Sequence, residues 1–145
     1  ALISADALHD RLAAAVDQSR RARTPTTFAL VRLSGAAASP VVVGEVARRL
    51  AGLDGGEVLG ASAADELAVL FAASRPHDAA DALAEVLGEG RLELDLGPDR
   101  VVTVSVRAGL AASPDHATTG EELYMAADIA LADAGDAGEA VVTAR

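Results

Sequence analysis

Cysteine is absent from this chain, which excludes disulfides, a thiolate nucleophile and thiolate zinc sites. Aromatic residues are nearly absent too, at 2% of 145 residues. Alanine fills much of the gap, with 35 copies. The core must therefore be built from Leu, Val and Ala, with elements brought close together through small side chains. No apolar run reaches the roughly 18 residues that a membrane helix needs. Cations are scarce: 12 Lys plus Arg face 22 Asp plus Glu, for a net charge of −10. That balance disfavours nucleic acid and anionic membranes, which require clustered basic residues, but it leaves room for a locally basic pocket. The opening ALISADALHD has neither an initiator Met nor a signal-peptide layout, and reads as the edge of a domain cut from a longer protein.

What is present suits one domain with one core: 51% hydrophobic and 23% charged residues over a length typical of a single unit. Ser4 caps a predicted helix carrying Leu8, Leu12 and Val16, with Arg20, Arg21 and Arg23 at its basic end and Pro25 beyond. Thr26 to Leu33 is an apolar, β-branched run and reads as a buried strand. After a small-residue loop from Ser34 to Pro40, Val42, Val46 and Leu50 recur at helical spacing within Val41 to Leu53. A hairpin follows, with arms at Glu57 to Ala61 and Glu66 to Ala73 around the turn SAAD. Pro76 opens a helix that runs to about Gly88. Arg91 to Leu96 and Arg100 to Ala112 pair around Gly97-Pro98-Asp99, with Val102, Val104, Val106 and Ala108 on one face. Thr119 and Glu122 form a capping box for a helix to about Ala134, and Ala140 to Thr143 is a last short strand. Adjacent strand pairs in a mixed order predict an α+β domain, with a central, mostly antiparallel sheet flanked by helices.

Four segments in this order resemble the GGDEF (diguanylate cyclase) family and together cover nearly the whole chain, 1–145. The signature hairpin is similar to Ala63-Ala64-Asp65-Glu66-Leu67, followed by the apolar strand AVLF. Gly109-Leu110-Ala111-Ala112-Ser113-Pro114 resembles the G-V-A-x-x-P strand end, and Ala127 to Gly135 resembles the late A-D-x-A-L-Y-x-A-K helix. Gly138-Glu139-Ala140-Val141-Val142 then stands where G-R-N-x-V is usual. The resemblance implies a nucleotidyl-cyclase-like fold. It also implies an activity, the condensation of two GTP molecules into cyclic di-GMP by metal-assisted attack on an α-phosphate. That chemistry needs clustered carboxylates to hold Mg²⁺.

Departures from the family pattern decide the functional expectation. Where the family has a metal-binding Asp ending the first strand, this chain reads Arg32-Leu33-Ser34. Ala63 and Ala64 replace two glycines that give a tight turn and close backbone approach to phosphate. Asp65 and Glu66 match the motif's metal-binding and catalytic acids, but further ligands are lacking. Gly35 to Gly44 is shorter than the family's guanine-reading segment and has neither its Asn nor its Asp. Gly135 stands for the phosphate-facing Lys, and Ala132 for the Tyr before it. Asp54 to Glu57 occupies the R-x-x-D product site with the arginine's sign reversed.

The expectation is therefore a degenerate, catalytically inactive GGDEF-like domain. It would act as a cytoplasmic regulatory or protein-interaction module of a bacterial signalling protein, through a protein partner, self-association or its neighbouring domains. No nucleic acid, membrane contact, cofactor or metal is expected for it. Two alternatives stand beside it: a GTP-type nucleotide sensor that binds without cyclising, and, least favoured, an active cyclase with rearranged ligands. For the vestigial positions, Asp65 and Glu66 read first as solvated turn acids. Arg32 reads either as an arginine snorkelling from a strand end or as an ion-pair partner of Asp65, with Glu66 the poorer partner. His9, His77 and His116 read as surface residues, Asp128 as structural or exposed, and Ser105 as no nucleophile because it lacks a glycine elbow.

Overall fold

The computed structural model describes residues 3–34, 39–53 and 55–145. Four helices and six strands follow one another as α1 (Ala5–Ala22), β1 (Thr26–Ser34), α2 (Pro40–Ala51), β2 (Gly56–Ala63), β3 (Glu66–Phe71), α3 (Pro76–Leu87), β4 (Arg91–Asp95), β5 (Val101–Ser113), α4 (Gly120–Ala137) and β6 (Val141–Thr143). The strands form one sheet in the order β2-β3-β1-β5-β4, every neighbouring pair antiparallel. The 13-residue β5 holds β4 along Val101–Ser105 and, further on, takes β6 in parallel at Ala108–Leu110. The α+β architecture expected from the strand pairs is the one observed.

Alternation along β1 builds two cores on one sheet. Ala29, Val31 and Leu33 pack with Val46 and Leu50 of α2 and with Leu83 and Leu87 of α3. Phe28 and Leu30 point to the other face, against Leu8, Leu12 and Val16 of α1 and Leu123, Ala127 and Leu131 of α4. This is why β1 is a continuous apolar run: its central residues are buried on both sides.

The shortage of large side chains is met by close approach of backbones. A methyl group built on Gly109 of β5 would lie 2.2 Å from the Leu131 nitrogen and 2.5 Å from the Ala127 oxygen, so α4 rests directly on the strand. At Gly120 the same methyl would lie 2.8 Å from the Ala13 nitrogen of α1.

Three local expectations are corrected. The first hairpin arm extends beyond Glu57 to Ala61, leaving only Ala64 and Asp65 between β2 and β3, with register shifts after Val58 and Ala61, while the second arm ends at Phe71 rather than Ala73. The reciprocal capping box is not made. Thr119 Oγ1 accepts from the Glu122 amide at 3.1 Å, but the Glu122 carboxylate reaches past Thr119 to the Thr118 amide (3.1 Å) and hydroxyl (2.9 Å). Helix α4 then continues to Ala137, because its left-handed stop is Gly138 rather than Gly135.

Candidate functional site

The pairing register decides where the acids of the Ala63–Leu67 segment are placed. In the antiparallel β1–β3 pair, Arg32 stands directly opposite Glu66, and opposite residues project to the same face of a sheet. Arg32 Nη2 donates to Glu66 Oε2 at 2.8 Å. The ion pair expected between Arg32 and Asp65 is therefore made with Glu66 instead. Asp65 lies in the two-residue turn, where its contribution to β1 is a backbone one: its carbonyl accepts the Leu33 amide at 2.8 Å. Strand alternation does not apply to Asp65, which precedes the first residue of β3; Glu66 is the one aligned with Arg32.

The pair is lopsided in exposure. The Glu66 side chain is 6% exposed and that of Arg32 46%. Burying a carboxylate requires partners for both oxygens. Arg32 serves Oε2, and Ser62 Oγ donates to Oε1 at 2.9 Å. The reading of Glu66 as a solvated turn acid is corrected by this burial. Arg32 is raised above its ordinary value, chiefly by its hydrogen bond to Glu66, with the charges of Glu66, Asp65 and Asp128 adding to it. Tyr124, projecting from α4, is pushed above the ordinary tyrosine range by burial first and then by the Glu66 and Asp128 charges. Arg32, Glu66, Ser62, Tyr124 and Asp128 thus form one small electrostatic cluster at the end of β1.

On its other side, β1 sets Arg32 opposite Arg107 of β5. Arg107 turns away to the last turn of α4, where Nη1 donates to the carbonyls of Ala134 and Gly135, each at 2.8 Å. The position that matches the family's phosphate-facing Lys is thus a glycine whose carbonyl is held by an arginine from the sheet. Sequence reasoning missed Ser62, Tyr124 and Arg107. The alternation that puts Val106 and Ala108 toward α2 and α3 was the signal for Arg107, since the intervening residue must face α4.

The remaining sites are dispersed. Glu57, at the position of the product-site Asp, pairs with Arg11 of α1 at 2.8 Å, and both are exposed. Asp54, at the reversed arginine position, and Gly35 to Ala38 of the shortened segment lie outside the described residues; Ser39 Oγ caps α2 from the Val42 amide at 3.3 Å. His77 is exposed and 3.3 Å from Asp81. His116 is half-buried rather than a free surface residue: its Nδ1 accepts the Ala112 amide at 2.9 Å. Among the described residues, no group of three or more His, Asp or Glu is placed to hold a metal ion. Likewise, no described helix is long and apolar enough to cross a membrane.

The hard-oxygen cluster that Mg²⁺ takes is not what these residues offer. Arg32 brings a fixed positive charge beside Glu66, and both oxygens of Glu66 already accept hydrogen bonds. Among the described residues, this cluster does not offer the several free carboxylate oxygens that Mg²⁺ takes.

No protein-family model matches the sequence, and neither does any curated protein. Solved structures do match. The GGDEF domain of TpbB (YfiN) from Pseudomonas aeruginosa superimposes with a TM-score of 0.86 at 24% identity, covering 99% of this chain and 91% of that one. The GGDEF domain of FimX from the same organism gives a TM-score of 0.79 at 21% identity, over 98% and 94% of the two chains. The active GGEEF domain of a diguanylate cyclase from Vibrio cholerae gives 0.74 at 15% identity, over 100% and 99%. At these identities the likeness is one of architecture, and the architecture of this chain is the GGDEF-domain fold.

Proposed function

We propose that this chain is a catalytically inactive GGDEF-fold domain that acts as a regulatory or protein-interaction module of a larger cytoplasmic signalling protein. The observation that carries the reading is the Arg32–Glu66 ion pair at 2.8 Å. A guanidinium engages the surviving motif carboxylate where the fold's enzymatic members use a metal ion. A divalent cation brought there would have to displace a charge-assisted hydrogen bond and sit beside a fixed positive charge. Glu66 is thereby turned from a catalytic acid into a tie between β1 and β3. Retention of the fold with its sheet intact favours a role through surfaces, in contacts with a protein partner, a second copy or neighbouring domains.

The test is an assay of purified protein, at high concentration, with GTP and either Mg²⁺ or Mn²⁺. Loss of electrostatic groups of this kind costs orders of magnitude each, so no cyclic di-GMP above a protein-free blank is expected. Enzyme-dependent product would overturn the reading.

A further inference from the structure

At the far end of β1 from Arg32, six residues and about 20 Å away, lies a cleft of about 830 Å³. It is bounded by the end of α1, the start of α3 and the turn after β5. Its volume is in the range of small-molecule sites, roughly 300–1,000 Å³. Pro25, Pro76 and Pro114, each from a different one of these three junctions, provide a preformed apolar wall. Arg20, Arg23 and Arg75 also line it, and Asp115 is the single carboxylate among the lining residues.

This gathering of cations runs against the composition. All 12 basic residues of the chain are arginines, and acids outnumber them by 22 to 12. Among the described residues, six of the twelve, Arg11, Arg20, Arg21, Arg32, Arg48 and Arg49, each lie against a carboxylate, and six do not. Arg23 and Arg75 have no carboxylate partner among the described residues, yet both face the same cleft. Arg23 is presented there by a left-handed backbone (φ 57°) that ends α1. Arg75 occupies the N-cap position of the 12-residue α3, at the edge of the cleft. Guanidinium forks match the paired oxygens of a carboxylate or phosphate, and a partly apolar enclosure strengthens that attraction over its value in open water.

We propose that this cleft binds a small organic anion, its charged oxygens held by Arg23 and Arg75 and its apolar body lying against Pro25, Pro76 and Pro114. The site is independent of the Arg32–Glu66 cluster, and its occupancy does not depend on the domain's being inactive. The test is amide NMR titration of the intact domain with phenyl phosphate and, separately, with benzoate; inorganic phosphate is the comparison probe. At least one aromatic anion is expected to shift the amides of residues 19–25, 75–79 and 113–118 saturably, and the tighter of the two identifies the preferred head group. Inorganic phosphate is expected to bind more weakly than phenyl phosphate, because it leaves the proline wall uncovered.

The double variant R23Q/R75Q should weaken binding about tenfold or more, as expected for losing charge-assisted hydrogen bonds. Arg48→Gln, on the other face, should leave binding unchanged. Both arginines are exposed, so unaltered melting curves will show that the variants fold. The proposal is overturned by the absence of saturable shifts with either aromatic anion, by shifts centred on another surface, by equal binding of inorganic and phenyl phosphate, or by undiminished binding to the double variant.

Discussion

Removing Arg32 should be worse for the protein than removing both Arg32 and Glu66. Arg32→Ala leaves a carboxylate that is 6% exposed with the Ser62 and Tyr124 hydroxyls beside it but no cation against it. An unpaired buried charge of this kind costs about 3–5 kcal/mol when burial is complete. Here the guanidinium is 46% exposed, so water can enter once it is gone, and about 2–3 kcal/mol is the reasonable size. Glu66→Ala instead frees a guanidinium that can turn to solvent, and should cost about 1 kcal/mol. The double variant leaves neither charge stranded, so the coupling between the two sites should be about 2 kcal/mol, more than Glu66→Ala costs alone.

The assay is urea unfolding of wild type, both single variants and the double variant, reading midpoints at constant slope. Asp65 supplies the control. Its carboxylate acts on Arg32 only through its charge, so an Arg32→Ala and Asp65→Ala cycle should be additive within about 0.5 kcal/mol. Additivity of the Arg32 and Glu66 variants, or stronger coupling of Arg32 to Asp65 than to Glu66, would refute the reasoning.

Gly109→Ala places a methyl group 2.2 Å from the Leu131 nitrogen, a backbone atom that cannot rotate away, so a loss of about 3 kcal/mol or more, or no folded protein, is expected in the same unfolding assay; near-wild-type stability would show that α4 can lift from β5 at little cost. Arg107→Met keeps the apolar stem but loses both bonds to the end of α4, and should cost about 1–2 kcal/mol. Hydrogen exchange should then quicken in the last turn of α4 before elsewhere, and uniform change would count against this role. Glu122 is held below the ordinary glutamate value of 4.5, first by the Thr118 amide and then by its hydroxyl. A depressed folded value means that the contribution is fully present above pH 4.5 and is lost as pH falls through the lower folded value. Glu122→Gln should therefore flatten part of the acid-side fall in melting temperature while leaving the slope above neutrality unchanged, and parallel curves for the two proteins would contradict it.

The sequence by itself determined the elements and their class. Helix periodicity, the Ser4 and Thr119 caps, Pro76 at a helix start and the paired strands around Gly97-Pro98-Asp99 are local signals, set within a few residues of where they act. The doubly buried run of β1 was legible because a strand covered on both faces has no polar alternation to offer. Four segments resembling family motifs, in the right order, were enough to reach the fold.

What only the tertiary structure decided depends on register and on contacts across the chain. That Arg32 meets Glu66 rather than Asp65 follows from which residues of β1 and β3 stand opposite, a long-range register between strands that are not consecutive in the chain. No spacing in the sequence reveals that Ser62 completes Glu66, that Arg107 reaches the end of α4, or that Arg23 and Arg75 share a cleft although 52 positions apart. Hydrogen bonds and enclosure act over a few ångströms of space, and only folding converts distance along a chain into that distance.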